Sequence, residues 1–150
     1  MQSTTNWWVI KGLVLTSFLG TNAQAWDFTP GLPCVLTHET STAEIELTFD
    51  PTVPLYSITV TRDAPWPQSA TFAMRFEGSN SLSISTNRQQ FNADRRALTV
   101  TDRGFGNVLD GLQYNDQAIA SLGDVEVAFP LEDAADAVAA FRQCRGDANV

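Results

Sequence analysis

Short segments in which apolar and polar residues alternate recur through the middle of the chain. The clearest case is the segment 44–49, where Ile45, Leu47 and Phe49 alternate with polar side chains. This period of two is typical of a strand with one buried face. Six segments alternate in this way or form a short β-like run: 34–39, 44–49, 55–62, 70–78, 81–86 and 97–102. Six strands at this regular spacing predict an all-β sandwich or barrel.

The pattern changes in the segment 106–130. Residues 106–116 can form one or two helical turns, for which Asn107 is the expected N-cap. The two runs that follow predict a hairpin around Gly123 and Asp124, although "QAIASL" also fits a helix. With the hairpin, the fold becomes an antiparallel sandwich or barrel of about 7–8 strands.

A helical pattern closes the chain. In the segment 132–144 the apolar residues recur at helical spacing and form one face, made of Ala134, Ala137, Val138, Phe141 and Cys144. Asp133 can cap the start of this helix, and Asp136 lies where the helix dipole favours an acid. The fold class is therefore mainly β, with one C-terminal α-helix.

The first 25 residues have the organisation of a secretory signal peptide. A polar start containing Lys11 precedes the apolar stretch "GLVLTSFLG", and Ala23, Gln24 and Ala25 follow as an A-x-A cleavage site. The apolar stretch is too short to span a bilayer as a helix. We expect cleavage after Ala25, which leaves a single domain of residues 26–150 in the periplasm or outside the cell. A segment that stays uncleaved as an anchor is the alternative.

The chain has two cysteines, Cys34 and Cys144, which lie far apart in the sequence. In an oxidising compartment such a pair predicts one structural disulfide. Closing a loop of about 110 residues is worth roughly 4 to 5 kcal/mol in the chain-entropy model. A metal site is not expected, because the C-x-x-C spacing is absent and His38 is the only histidine. No cofactor is expected either.

The charge is strongly acidic. The formal net charge of −8 becomes −9 when Lys11 leaves with the signal peptide, and all remaining basic residues are arginines. A field of this sign repels nucleic acid and anionic lipid, and it favours either simple solubility or a basic protein partner. No nucleic-acid partner and no membrane span after signal cleavage are expected.

Candidate catalytic groups are few. His38 beside Glu39 is the only imidazole, and no G-x-S-x-G motif accompanies it. Glu44 and Glu46 share the polar face of one predicted strand, as on the solvent side of a sheet. We therefore assign no catalytic residue, and a hydrolase that uses His38 or these carboxylates is the alternative hypothesis.

Trp66 lies between Pro65 and Pro67 in a predicted hairpin tip. A rigid, exposed aromatic residue of this kind can anchor a protein partner, which also suggests an inhibitor of a basic secreted or envelope enzyme. The opposing interpretation is that Trp66 folds back over the end of the barrel. The nearby Arg88, Arg95 and Arg96 form a basic segment that either binds an anion or decorates a hairpin. 

The segment "DRGFGNVLDG", residues 102–111, carries three glycines beside an Asp-Arg pair. It does not match the P-loop, because the mature chain has no lysine, and its glycine spacing differs from the dinucleotide-binding fingerprint. We interpret it as a junction between a strand and a short helix. A ligand loop in which Asp102, Arg103 and Asn107 meet in a pocket is the alternative.

Four segments of the mature chain, "WDFTPGLPCVLTHET", "FAMRF", "LTVTDRGFGNVLDGLQ" and "AFPLEDAADAVAAFRQC", resemble a family of small exported bacterial proteins without established function. Members of that family often carry the automatic name "excinuclease ABC subunit". This chain gives that name no support, since it lacks a Walker loop, is acidic and begins with an export signal. A second similarity, from residue 125 to residue 144, is to the invasion-associated locus B family of secreted proteins. Neither resemblance implies catalytic residues. Because the sequence itself offers no catalytic constellation, we expect an exported protein that acts by non-catalytic binding in the periplasm or outside the cell.

Overall fold

The computed structural model describes residues 25–145, so the predicted signal peptide lies, apart from Ala25, outside the described residues. The described part of the chain contains ten strands and two helices: β1 Asp27–Thr29, β2 Cys34–Glu39, β3 Ala43–Asp50, β4 Leu55–Arg62, β5 Phe72–Glu77, β6 Leu82–Thr86, β7 Gln90–Phe91, β8 Ala97–Asp102, α1 Gly106–Tyr114, β9 Gln117–Leu122, β10 Val125–Pro130 and α2 Ala134–Arg142.

The strands form two antiparallel sheets. Sheet 1 has the order β1-β2-β3-β4-β8-β7, and sheet 2 has the order β10-β9-β5-β6. The predicted β-rich fold with a C-terminal helix is confirmed, and it is a two-sheet arrangement. All six strands predicted from alternation are present. The sequence did not predict β1 and β7, because three and two residues are too few to show a period.

One apolar core lies between the sheets. In sheet 1 the cross-strand pairs Ile45–Val60 and Leu47–Ile58 point inward, and all four side chains are buried. On the opposite face of β4, the hydroxyl oxygens of Thr59 and Thr99 lie 2.9 Å apart. The alternation in the sequence thus separates a buried apolar face from a polar outer face.

The hairpin predicted around Gly123 is confirmed, and "QAIASL" is the strand β9. Gly123 has φ +61°, a conformation that glycine adopts without steric cost. The turn therefore places β10 directly beside β9.

α1 is longer than expected, since it runs for nine residues rather than one or two turns. The prediction that Asn107 caps it is wrong. The helix begins at Gly106, its N-cap position is Phe105, and no side chain caps it. Phe105 is buried and stacks on Tyr56 at 5.4 Å between ring centroids, so packing rather than capping fixes this helix start.

α2 begins after Asp133, as predicted, with Asp136 in its first turn. Asp133 makes no capping hydrogen bond, because its backbone is left-handed (φ +60°) and not in the extended conformation that side-chain capping needs. The predicted disulfide is confirmed: Cys34 and Cys144 are bonded, with their Cα atoms 6.3 Å apart. It ties the end of α2 to the start of β2.

The two helices cover the end of the core at which β4 begins. Phe141 of α2 and Phe105 both lie against Tyr56, and Arg142 forms an ion pair with Asp110 of α1. Neither helix within residues 25–145 is long and apolar enough to cross a membrane.

Candidate functional site

The two long sides of the sandwich differ. On the side where β1 and β10 meet, Trp26 bridges the sheets: its ring stacks on His38 at 4.8 Å, and its Nε1 donates a hydrogen bond of 2.9 Å to the carbonyl oxygen of Pro130. A buried aromatic residue therefore closes this side. On the other side, β6 ends sheet 2 and β7 ends sheet 1.

A cleft of about 390 Å³ opens on that other side. We call it the β6–β8 cleft. It is lined by Ile58, Phe72, Met74, Ile84, Ser85, Thr86, Asn87, Arg88, Val100, Asp102, Gly104, Phe105, Asn107 and Val108. The cleft exists because β7 pairs with β8 only at Leu98 and Thr99, so among residues 25–145 the last three residues of β8 are paired with β4 on one side and with no strand on the other.

The floor of the cleft is apolar. Ile58 and Val100 reach it from sheet 1, whereas Phe72 and Met74 reach it from sheet 2, and all four are at least nine-tenths buried. Ile84 differs from them because it belongs to the edge strand and is only half-buried. The interior of the sandwich is thus uncovered at Ile84.

The mouth of the cleft is polar. Arg88 follows β6 and donates a hydrogen bond from Nη2 to Oδ2 of Asp102, which ends β8. The backbone N–H of Arg103 donates a second bond, of 2.7 Å, to Oδ1 of Asp102. The hydrogen bonds from Arg88 and then from Arg103 lower the pKa of the Asp102 carboxyl below its ordinary value. The mouth therefore carries a compensated charge pair, beside the amides of Asn87 and Asn107.

Two of the three residues named from the segment "DRGFGNVLDG" meet at this cleft. Asp102 and Asn107 both line it, whereas the side chain of Arg103 is exposed and is not part of its wall. Arg88 takes the place expected for Arg103. The sequence did not single out Met74 and Ile84 as site residues. Both alternate with their neighbours in the same way as apolar residues that are fully covered in the core.

Of the two interpretations of Trp66, the structure supports the one in which the side chain folds back over the core, and the exposed anchor is not observed. The Trp66 side chain is only 2% exposed, and its Nε1 donates a hydrogen bond of 3.1 Å to the carbonyl oxygen of Val60. The ring meets Phe72 edge-on, and the guanidinium of Arg62 lies 5.0 Å from its centroid. Trp66 covers the end of the core at which β4 ends, as in the opposing interpretation. Exposed Pro65 and half-buried Pro67 flank it without forming a projection.

The basic segment does not form one anion site. Arg88 pairs with Asp102, Arg96 lies 3.9 Å from Asp94, and Arg95 stacks on Phe91. Arg95 also donates a hydrogen bond of 3.0 Å to the carbonyl oxygen of Pro67, and it thereby holds the Trp66 loop.

The His38 ring stacks on Trp26 and meets Phe129 edge-on, and it borders a second cavity of about 350 Å³ with Glu39, Glu132 and other residues. Glu44 is exposed on the outer face of β3, as predicted, and Glu46 on the same face is half-buried. Neither carboxylate lines the cavity beside His38 or the β6–β8 cleft.

Within residues 25–145, no group of three or more His, Cys, Asp or Glu side chains is arranged to hold a metal ion. No family model, curated protein or solved structure matches the chain. The β6–β8 cleft, with its apolar floor and polar mouth, has the shape and chemistry of a ligand site.

Proposed function

We propose that this protein is an exported, non-catalytic binding protein and that the β6–β8 cleft receives an apolar group of its ligand. One observation carries the proposal: the interior of the sandwich is closed by Trp26 on one long side and open at Ile84 on the other.

The size and chemistry of the cleft support binding. Ligand sites in proteins are concave and mostly apolar, occupy roughly 300–1,000 Å³, and carry a few polar groups that orient the ligand. The β6–β8 cleft has about 390 Å³, an apolar floor and the Arg88–Asp102 pair at its mouth.

The chemistry of the mouth favours a ligand whose polar part is neutral. Asp102 compensates the charge of Arg88, so an anionic or a cationic group would each meet a like charge beside its counter-ion. Neutral groups that both donate and accept hydrogen bonds fit this pair together with Asn87 and Asn107.

Export is supported by the disulfide and by the sequence of the first 25 residues. The Cys34–Cys144 bond persists in an oxidising compartment, whereas the cytosol keeps such thiols reduced. Between the alternatives, the buried position of Trp66 removes the exposed tip on which the inhibitor hypothesis depended. The hydrolase hypothesis stays a prediction about His38.

A fluorescence titration of the disulfide-bonded protein with Nile red, a neutral apolar dye, tests the proposal. The account expects saturable binding that Ile84→Trp abolishes, because the larger ring fills the cleft. Ser83→Trp is the matched control, since Ser83 lies on the same strand with an exposed side chain. Equal binding by the two variants, or no saturable binding by the wild-type protein, would contradict the proposal.

A further inference from the structure

The four strands at the edges of the two sheets differ in how they are protected against pairing. Native edge strands are usually short, charged, interrupted by proline or covered. β1 has three residues and β7 has two. β10 ends at Pro130 and carries Glu126, whose carboxylate lies 3.3 Å from Arg75. Three of the four edges thus have a recognisable protection.

β6 has none of these features. It is five residues long and lies within the segment 78–87, which contains no charged residue and no proline. Within residues 25–145 its one partner strand is β5, in the register Phe76–Leu82 to Phe72–Thr86. In an antiparallel ladder, alternate N–H and C=O groups point away from the partner strand, so the outer edge of β6 offers a row of them to a further strand.

The free edge of β6 borders the β6–β8 cleft. Ile84 and Thr86 of this strand line the cleft, and Val100 and Asp102 of β8 line it from the other sheet. Successive side chains of a strand point to opposite faces. A strand added beside β6 would therefore direct every second side chain into the apolar cleft and the others toward solvent.

We infer that the ligand of this cleft is an extended segment of another protein, which adds to sheet 2 as a fifth strand beside β6. This inference rests on the proposed function. Backbone pairing along β6 gives affinity, and the cleft selects apolar side chains at alternate positions. Peptide groups are also the neutral donors and acceptors that suit the Arg88–Asp102 pair.

The net negative charge of the protein favours a partner segment with basic residues at its ends. The chain has 17 acidic and 9 basic residues, whereas the stretch 78–87 itself is uncharged. Basic residues on either side of the apolar segment would be attracted by the protein as a whole. The expected partner is thus an alternating apolar segment with lysine or arginine at its ends.

A peptide of alternating valine and threonine between terminal lysines is the probe. In a strand the backbone N–H groups fall into two alternating sets, which point to opposite sides. Two further versions of the peptide carry N-methyl groups, the first version on all nitrogens of one set and the second version on all nitrogens of the other set. Both keep all side chains, but in a strand beside β6 only one set of N–H groups faces the protein. We expect methylation of one set to weaken binding at least about tenfold, because several hydrogen bonds are lost, and methylation of the other set to leave binding nearly unchanged.

Hydrogen exchange supplies the second readout. The bound peptide should slow exchange of alternate amides within β6, whereas Nile red should not. Equal binding of both methylated peptides, or no peptide binding by a protein that binds Nile red, would overturn strand addition and leave the proposed function intact. A β6-mediated dimer that excludes the peptide would also overturn it. Absence of Nile red binding would contradict the proposed function itself.

Discussion

Arg88 and Asp102 join the two sheets across the mouth of the β6–β8 cleft: Nη2 of Arg88 donates a hydrogen bond to Oδ2 of Asp102. Arg88 follows the free edge strand of sheet 2, and Asp102 ends β8 of sheet 1. Both side chains are substantially exposed, at 62% and 39%, so solvent screens the pair. The pair therefore orders the mouth more than it stabilises the fold.

The first prediction concerns the pH dependence of this pair. The pKa of Asp102 is lowered in the folded protein, chiefly by the hydrogen bond from Arg88. Its stabilising contribution should be fully present above the ordinary value of 3.8, and it should be lost as the pH falls below 3.8 through the lowered pKa. We expect the urea midpoints of wild type and Asp102→Asn to differ by a constant amount between about pH 5 and about pH 7. The difference should shrink below pH 3.8, as the Asp102 carboxylate becomes protonated.

NMR titration of the Asp102 carboxyl provides the control for that prediction. Arg88→Gln should raise the pKa of Asp102 toward its ordinary value, because the largest cause of the shift is removed. An unchanged pKa in Arg88→Gln would contradict the assigned cause.

The second prediction concerns Trp66. Trp66→Ala should lower the free energy of unfolding by about 3–5 kcal/mol, because it removes a large buried ring. Exposed Pro65→Ala should change it by less than about 0.5 kcal/mol. Urea unfolding measures both. A Trp66→Ala variant as stable as the wild type would show that this ring does not cover the core.

The third prediction concerns the contact between α1 and β5. A Cβ atom on Gly111 would lie 2.4 Å from the ring of Phe76, and both residues are buried. Gly111→Ala should therefore destabilise the protein by about 1–3 kcal/mol, although alanine has the higher helix propensity. Gly106→Ala is the matched control in the same helix, because nothing lies within 4 Å of its added Cβ. Thermal unfolding in which Gly111→Ala is as stable as Gly106→Ala would be inconsistent with this close contact.

The fourth prediction concerns the disulfide. Its cysteines are separated by 110 positions, so replacing both with alanine should cost about 5 kcal/mol of unfolding free energy in the chain-entropy model. The comparison is made by urea unfolding of wild type and of Cys34→Ala/Cys144→Ala. A loss below about 1 kcal/mol would show that the unfolded chain is already compact.

The period of two predicted the main strands, and the presence of two cysteines in an exported chain predicted the disulfide, because both features can be read from the sequence without knowing which strands are neighbours. The cleft was not predictable in the same way. Ile84 and Ile45 have the same alternating neighbours, yet Ile45 is buried in a central strand and Ile84 lies at an edge. Which strand lies at the edge follows from the order β10-β9-β5-β6, and that order depends on long-range pairing.

The orientation of the Trp66 ring could not be predicted from the local sequence either. Its two prolines indicated a turn, which the chain has, but they are compatible with a ring that points outward or inward. The carbonyl oxygen of Val60 and the edge of Phe72 favour the inward position. These groups lie six residues away on either side of the ring, where a local pattern carries no information on contact.

The most direct test of the binding site uses Met74, which lines the floor of the cleft and is one of only two methionines, with Met1. In protein labelled with ¹³C at the methionine methyl group, the signal of Met74 is the one that disappears in Met74→Leu. The account predicts that this signal shifts during a Nile red titration and saturates together with the dye fluorescence. A Met74 signal that stays unchanged while the fluorescence saturates would contradict binding in the β6–β8 cleft.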